Sequence, residues 1–525
     1  MVVAAGFLWR LWLAHATFFN TDEAWHFSVA NQNSLAAAYR ASLSLAHPPL
    51  LIFVLYFWKH FFSSDVMLRL PGVLAGTIFC WVFYKWLGVL FGRSAAWSGL
   101  IFATFLPPMI VLSAELRQYS WMLVFAISAA YFLERAFGEN SLRAMLLSSL
   151  CLWLAMLSHY SAFLFAASVG IYAIVRMFVQ RPSKGLIAIW AAGQGIGVAL
   201  AAFLVKTHVS KLGSVYPGDP LRRFGEFYLS DVYFHAGKES LAHFLYRGTF
   251  GIFRFLCAQR AMGHLTTVLF VAGIICLLLS ARRESTPSAQ LRLLALLLVS
   301  PFLVNWIAVV AGVYPYGRTR QCVFLAIFGL AGVSYCLAKI CSAKLSRNRS
   351  WLAACLAVVI VAVCHLFGTP HSLDMIVTAE QRHEHMDAAI AFIRGSLTPA
   401  DVLFTDKPTS FQLMHYLCGP NPVSVRAGVG FDSFDCSGIR VISTNLDDGS
   451  LTPQSFPEKL RKLKDNYFLN STPAIWVVQM AWSSGLGEAL RRDYAFAEIE
   501  PHVFDRYIEV FRLPQHKRVD QVPSR

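Results

Sequence analysis

Apolar stretches of roughly twenty residues recur along this chain, and that repetition sets its fold class before any motif is read. Crossing a bilayer core takes about 20 predominantly apolar residues in helical form, because a helix satisfies its own backbone polar groups without water. Windows of this kind fall near residues 1–19, 66–90, 95–112, 119–137, 141–158, 160–180, 186–205, 264–280, 289–312, 320–340 and 351–368. An α-helical polytopic membrane protein with about 11 spans is therefore expected. Composition agrees, since only 14% of the 525 residues are charged against about 25% in soluble domains. A cytosolic enzyme, a disordered chain and a disulfide-knotted secreted module are excluded.

The loops between these windows sort by charge. One alternating set holds Arg93, then Arg135 and Arg143, then Arg176, Arg181 and Lys184. It continues with Arg282, Arg283 and Arg292, and ends with Lys339, Lys344, Arg347 and Arg349. By the positive-inside rule that side is expected to be cytoplasmic. Residues 20–65, 113–118, 206–263, 313–319 and the tail after 369 then face outward. Leu50 to Phe62 is apolar but spans only 13 residues, which suits a helix at the outer interface. Ala14-His15-Ala16 has the form of a cleavage site, but no basic segment precedes it and Arg10 interrupts the apolar run, so a retained first span is expected. Arg10 itself reads as a side chain reaching for an interface or as a functional group.

Residues 1–369 carry 29 Lys/Arg and 11 Asp/Glu, whereas residues 370–525 carry 16 and 19. The net charge of +15 thus belongs to the membrane part, where topology accounts for it, and no nucleic-acid partner is expected. The chain divides into a transmembrane catalytic domain, 1–369, and an extracytoplasmic α/β domain, 370–525. In the tail the hydrophobic period alternates. Helices are expected over 380–394, 408–417 and 456–467, with strands over 401–405, 439–443, 474–479, 496–500 and 507–512. That alternation suits a small α/β layer structure. It contains no Gly-rich phosphate loop, so a nucleotide site has no support there. Nine of the 11 cysteines lie in or beside spans; Cys418 and Cys436 in the tail either pair in an oxidising compartment or remain buried thiols. His383 and His385 lie about 200° apart on a helix and read as solvated surface rather than metal ligands.

Acids are scarce before residue 370, so three near the outer ends of spans stand out: Asp22 and Glu23 in FFNTDEAWH, and Glu115 in LSAELRQYS. Ionisable groups at membrane depth are costly and point to function; the plainer reading is a solvated acidic pair capping a helix after Thr21. His26, His47 (in AHPPL), Arg69, Arg117, Tyr119, Arg318 and Arg320 fall on the same expected side. A carboxylate that takes a hydroxyl proton, beside cations that stabilise a departing phosphate, suits group transfer. His159-Tyr160, at a short turn, reads as a hydrogen-bonded structural pair. Lys206, His208 and Lys211 either mark the end of a span or meet a lipid phosphate. The stretches FGEFYLSDVYFHAG and SLAHFLYRGTFGIFRF suit an interfacial helix or a packing cover.

In order, NTDEAWH, AHPPL, VMLRLPGVLAGT and GRSAAWSGLIFATFLPPMIVLSAELRQYSW resemble GT-C glycosyltransferases. The branch they resemble is that of the protein O-mannosyltransferases and lipid A aminoarabinose transferases, nearest the bacterial RgtB-like group. The resemblance is specific over roughly residues 7–135 and architectural afterwards. It implies transfer of a sugar, with inversion, from a polyprenyl-phosphate donor to an extracytoplasmic glycan, lipid or protein at the bacterial inner membrane. On this resemblance Asp22 is the catalytic base, with Glu23 beside it and Glu115 as an auxiliary acid. His47, Arg69, Arg117, Tyr119, Arg318 and Arg320 would bind substrate, with His47 standing where the aminoarabinose branch has Lys. No cofactor is expected; relatives differ on metal dependence, and a divalent ion at Asp22, Glu23 and Glu115 is not favoured. Two rivals stand beside this reading. A transporter or flippase would use the acids as a proton relay, but predicts midplane acids and inverted repeats that are not evident here. An inactive scaffold would hold a partner through residues 370–525, and deleting that domain separates the two: a scaffold loses its partner, whereas an enzyme retains some transfer.

Overall fold

The computed structural model describes residues 1–211, 229–283, 288–344, 351–368, 382–419, 423–425, 430–445, 451–467, 474–480, 485–492, 498–505 and 508–513. Arg347, Arg349, the first part of the aromatic stretch after 211 and the start of the tail helix at Glu380 lie outside them. The chain forms two compact units, Met1–Ala14 with Asn33–Ile376, and His15–Gln32 with Val377–Arg525. Its helices begin with α1 (Val2–Ala16) and α2 (Thr21–Ala30), then α3 (Leu35–Ser42), α4 (Leu50–Trp58), α5 (Asp65–Phe91), α6 (Arg93–Phe105) and α7 (Pro107–Ala114). Next come α8 (Tyr119–Glu139), α9 (Leu142–Ser158), α10 (Ser161–Gln180) and α11 (Lys184–Leu204). The first unit is completed by α12 (Leu241–Cys257), α13 (Arg260–Arg283), α14 (Ser288–Val310), α15 (Leu325–Lys344) and α16 (Trp351–Phe367).

Helix occupies each expected window. Among the described residues, seven helices are long and apolar enough to cross a membrane, α6 and α7 qualify together as a pair bent by 54°, and α1, α9 and α16 are apolar but shorter. Two window edges need correction. Residues 320–322 form a 3-10 turn, and α15 starts only at Leu325. The first window ends at Ala16 rather than 19, because Phe18 leaves the helix and is buried among Met386, Leu413, Val441 and Val478 of the second unit. Large apolar side chains such as Trp81, Phe178, Val198, Val268 and Ile307 stay exposed along the long helices, as hydrocarbon-facing side chains do.

Arg176 was expected in a basic loop. It is buried instead, bonded to Glu134, with Tyr172 donating to Glu134 at 2.7 Å and accepting from Arg176 at 2.7 Å. The carboxylate, phenol and guanidinium satisfy one another and pin α8 to α10.

The second unit continues with α17 (His383–Ser396), β1 (Val402–Thr405), α18 (Lys407–Tyr416), β2 (Val423–Val425), β3 (Phe431–Cys436) and β4 (Ile439–Thr444). It ends with α19 (Phe456–Tyr467), β5 (Ile475–Gln479), α20 (Leu486–Leu490), β6 (His502–Val503) and β7 (Glu509–Arg512). The sheet order is β2-β3-β4-β1-β5-β7-β6. Central β1 runs parallel to β4 and β5, and the outer pairs are antiparallel. Every residue of β1 and β5 is buried, as covered parallel strands require.

Strands β2 and β3 were not anticipated, because Asp and Ser dilute the strand signal of FDSFDC. The two-residue turn at Ser437 and Gly438, with φ of 54° and 89°, is the hairpin signature that marks β3–β4. Residues 498–500 of the expected strand 496–500 are not strand; the edge strand is β6 instead. Cys418 and Cys436 are paired, tying the chain just past α18 to the end of β3.

The bend between α6 and α7 has a specific internal support. Pro107 and Pro108 lack N–H groups, so the carbonyls of Ala103 and Thr104, four residues earlier, lose their helical donors. Arg10 supplies them: Nη2 donates to Ala103 O at 3.1 Å and Nη1 to Thr104 O at 3.0 Å. The same guanidinium reaches Gly6 O at 3.0 Å and Met109 O at 3.4 Å. Arg10 is therefore 1% exposed and does not extend to an interface. Arg10→Met keeps the stem but leaves Thr104 O undonated and Ala103 O with only the Cys80 thiol, 3.2 Å away, each lost bond costing about 1–3 kcal/mol. Unfolding in detergent is expected to lose about 2–4 kcal/mol, read as a lower thermal midpoint. An unchanged midpoint would refute this role.

Candidate functional site

The turn joining α7 to α8 carries Glu115 and Arg117 and leads into Tyr119. Glu115 caps α7 in extended conformation, and its carbonyl accepts from Arg117 N at 2.8 Å, so the chain turns tightly into α8 at Tyr119. Glu115, Arg117, Gln118, Tyr119 and Ser120 are all buried. Close approach of α5 makes this burial feasible. At Gly72 an added Cβ would lie 3.2 Å from Glu115 O. One turn earlier Arg69 donates to Ala14 O at 2.8 Å, closing the end of α1, so its visible bond orients helices.

The Tyr119 ring is the centre of a cationic cluster. The guanidiniums of Arg117 and Arg320 each lie 5.7 Å from its centroid, within cation–π range. Arg320 arrives on the 3-10 turn Arg320–Cys322. The His159 ring lies 5.1 Å from Tyr119, and His47 stacks on His159 at 5.5 Å. His47, Arg117, Tyr119 and Arg320 are thus brought together, and His159 joins them although its sequence context reads as structural. The backbone of Arg318 is pressed against Gly251 of α12, where an added Cβ would lie 3.0 Å from Arg318 N.

The electrostatics favour an anion. Burial, with the charges of Arg117 and Arg320, pushes the His159 imidazolium down to about 3, so its ring is neutral at physiological pH. At the N-terminus of α8, the Tyr119 hydroxyl, the Ser120 hydroxyl and the Gln118 amide are buried without hydrogen-bond partners among the described residues. A buried unsatisfied polar group costs about 1–3 kcal/mol. Two guanidiniums, a helix N-terminus and uncompensated donors fit a phosphate or another compact anion.

In the second unit, Asn20 caps α2: its side chain accepts from Glu23 N at 3.0 Å, and the Glu23 carboxylate accepts from Asn20 N at 3.0 Å. This is a reciprocal capping box, so Glu23 has a structural task at the least. Asp22 is half-buried, and its carbonyl lies 2.6 Å from His26 Nδ1. Helix α18 fastens the segment. Gln412 Nε2 donates to Phe19 O at 3.0 Å, the Tyr416 hydroxyl accepts from Phe19 N at 2.6 Å, and Trp25 stacks on Phe411 at 5.6 Å. Gln412 and Tyr416 carry no motif, so sequence reading missed them. His385 lies 3.4 Å from Asp505, and among the described residues no group of three His, Cys, Asp or Glu could hold a metal.

Tyr416→Phe removes the acceptor of the Phe19 amide. Hydrogen exchange at Phe19 is expected to rise about tenfold or more, the equivalent of a loss of 1–3 kcal/mol. Unchanged exchange would show that the clamp does not hold the segment.

Residues 46–206 match the protein family described as dolichyl-phosphate-mannose-protein mannosyltransferase. No curated protein matches the chain. Among solved structures, ArnT from Cupriavidus metallidurans bound to undecaprenyl phosphate is 14% identical, covers 97% of both chains and gives a TM-score of 0.51. Its apo state is 15% identical over the same coverage, with a TM-score of 0.50. An Archaeoglobus fulgidus oligosaccharyltransferase in complex with Zn and sulfate is 12% identical, over 80% of this chain and 62% of the other, at a TM-score of 0.47. The chain has the GT-C fold, an apolar helical bundle followed by a small sheet domain.

Proposed function

We propose that this protein is a membrane glycosyltransferase that moves a sugar from a polyprenyl-phosphate donor to an acceptor hydroxyl outside the membrane, with inversion. The observation that carries the reading is the cluster of buried Arg117 and Tyr119 with half-buried Arg320 at the start of α8, chemically suited to a phosphate. The fold it shares with a protein bound to undecaprenyl phosphate supports a lipid-linked donor. In this reading the acceptor oxygen attacks the anomeric carbon while the bond from that carbon to the phosphate oxygen breaks. The acceptor proton passes to the Asp22 carboxylate, and the electron pair leaves with the polyprenyl phosphate, whose charge Arg117 and Arg320 stabilise. Glu115 positions the acceptor or assists the base, and His47, Arg69 and Arg318 serve the substrate less directly. The transmembrane part, 1–369, holds the chemistry, residues 370–525 lie on the extracytoplasmic side, and the membrane is the bacterial inner membrane. The reaction as written needs no cofactor.

The test uses membranes holding wild-type protein, Asp22→Asn or Arg117→Ala, incubated with radiolabelled polyprenyl-phosphate sugars and a cell-envelope acceptor extract. Wild type is expected to label the extract. Asp22→Asn should lower turnover about 10²–10⁴-fold, the range for losing a general base, and Arg117→Ala about 10²–10³-fold. Near-normal turnover by Asp22→Asn would move the base to Glu23 or Glu115. No labelling by folded wild type with any donor would remove the enzyme reading in favour of transport.

A further inference from the structure

His159 stands in the two-residue link between α9 and α10, buried to 3% exposure, with no part in the reaction as described above. Two neighbours hold its ring in one plane, Tyr119 at 5.1 Å and His47 at 5.5 Å. Its Nδ1 atom is held from a third direction. Ser161 N donates to it at 3.2 Å, and Ser161 Oγ lies 2.8 Å away. The same serine hydroxyl interacts with Tyr314, so the contact is braced from the segment after α14. A backbone N–H can only donate, which makes Nδ1 the acceptor and leaves the proton of the neutral ring on Nε2. The ring is therefore a fixed, neutral N–H donor set beside two guanidiniums that repel its protonated form.

A purely structural histidine has no need of this company. Packing against Tyr119 and His47 would be served equally by phenylalanine, without bringing a polar ring beside two cations. The Tyr119 hydroxyl, on the ring that lies against His159, is buried and unpartnered among the described residues and needs the same complement, an acceptor-rich anion. We propose that His159 is a ligand of the anion that Arg117 and Arg320 receive, donating from Nε2 to a phosphate oxygen, with Ser161 as the residue that fixes its tautomer. The proposal rests on the phosphate-donor reading above and adds a residue to it. A neutral donor gives direction without a third positive charge, so it holds the phosphate without trapping it after transfer.

The phosphate could be that of a polyprenyl lipid or a free anion, and the experiment separates the two. Purified full-length protein in detergent is titrated with undecaprenyl phosphate, undecaprenol and inorganic phosphate, with thermal stabilisation as the readout. His159→Phe keeps the ring stack without the donor, and His159→Gln keeps an amide donor at the reach of Nε2. Wild type and His159→Gln are expected to bind undecaprenyl phosphate within about threefold of each other and to ignore undecaprenol. His159→Phe should bind about 10–100-fold more weakly, the range for a hydrogen bond to a charged group. Ser161→Ala, which leaves the imidazole in place, should weaken binding about 2–10-fold and keeps the test decisive if His159→Phe does not fold. Equal binding by His159→Phe, or equally weak binding by His159→Gln, would overturn the assignment while leaving the donor reading intact. Stabilisation by inorganic phosphate alone would keep the His159 contact and overturn the lipid source. Stabilisation by neither anion would overturn the inference itself, whereas the transfer assay decides the enzyme reading.

Discussion

Backbone polar groups in hydrocarbon must find partners inside the protein, and the bend between α6 and α7 shows how much of the first unit follows from that rule. Two consecutive prolines strip the helical donors from Ala103 and Thr104, and Arg10 replaces both with one guanidinium. With those carbonyls satisfied, the chain can bend by 54° without a buried penalty. The bend directs α7 so that Glu115 through Ser120 turn inside the bundle. A straight helix through residues 93–114 would present the same turn differently, and the cluster around Tyr119 would have no scaffold. A side chain on α1 that touches none of the candidate residues thus underlies their arrangement.

Much of this was legible from periodicity and charge. Long apolar windows have few alternative structures, so the helices that fill them were readable to within a few residues. The tail was readable wherever strands were apolar, as in IWVVQ, and not where Asp and Ser supply half of a strand, as in FDSFDC. Buried charges were harder. Arg10 and Arg176 look like interface or loop cations in sequence, because their partners are carbonyls 93 and 94 residues away and a carboxylate on another helix. Within the site, Arg117 and Tyr119 were readable from one local motif, Arg320 less directly. His159 was not, since its meaning comes from two rings and two guanidiniums contributed by other parts of the chain. The Glu23 capping box was present in sequence as Asn20-x-x-Glu23, a pattern that competes with a catalytic reading of the same acid.

The second unit alters how the rival readings can be separated. Deleting residues 370–525 looks from sequence like a clean discriminator, because an enzyme confined to the membrane part should keep some activity. The fold makes it a poor one. Phe18 belongs to the apolar core of that unit, Phe19 is hydrogen-bonded to Gln412 and Tyr416, and Trp25 stacks on Phe411. Without the domain, Phe18 alone would lose burial of about 1.5–3 kcal/mol, and the segment bearing Asp22 would lose the helix that shapes it. A scaffold and an enzyme that relies on Asp22 would both fail after such a deletion, so the truncation cannot tell them apart. Substitutions that leave the clamp intact can. Asp22→Asn changes a carboxylate without touching Gln412, Tyr416 or the core around Phe18, so partner binding should survive it while transfer should not.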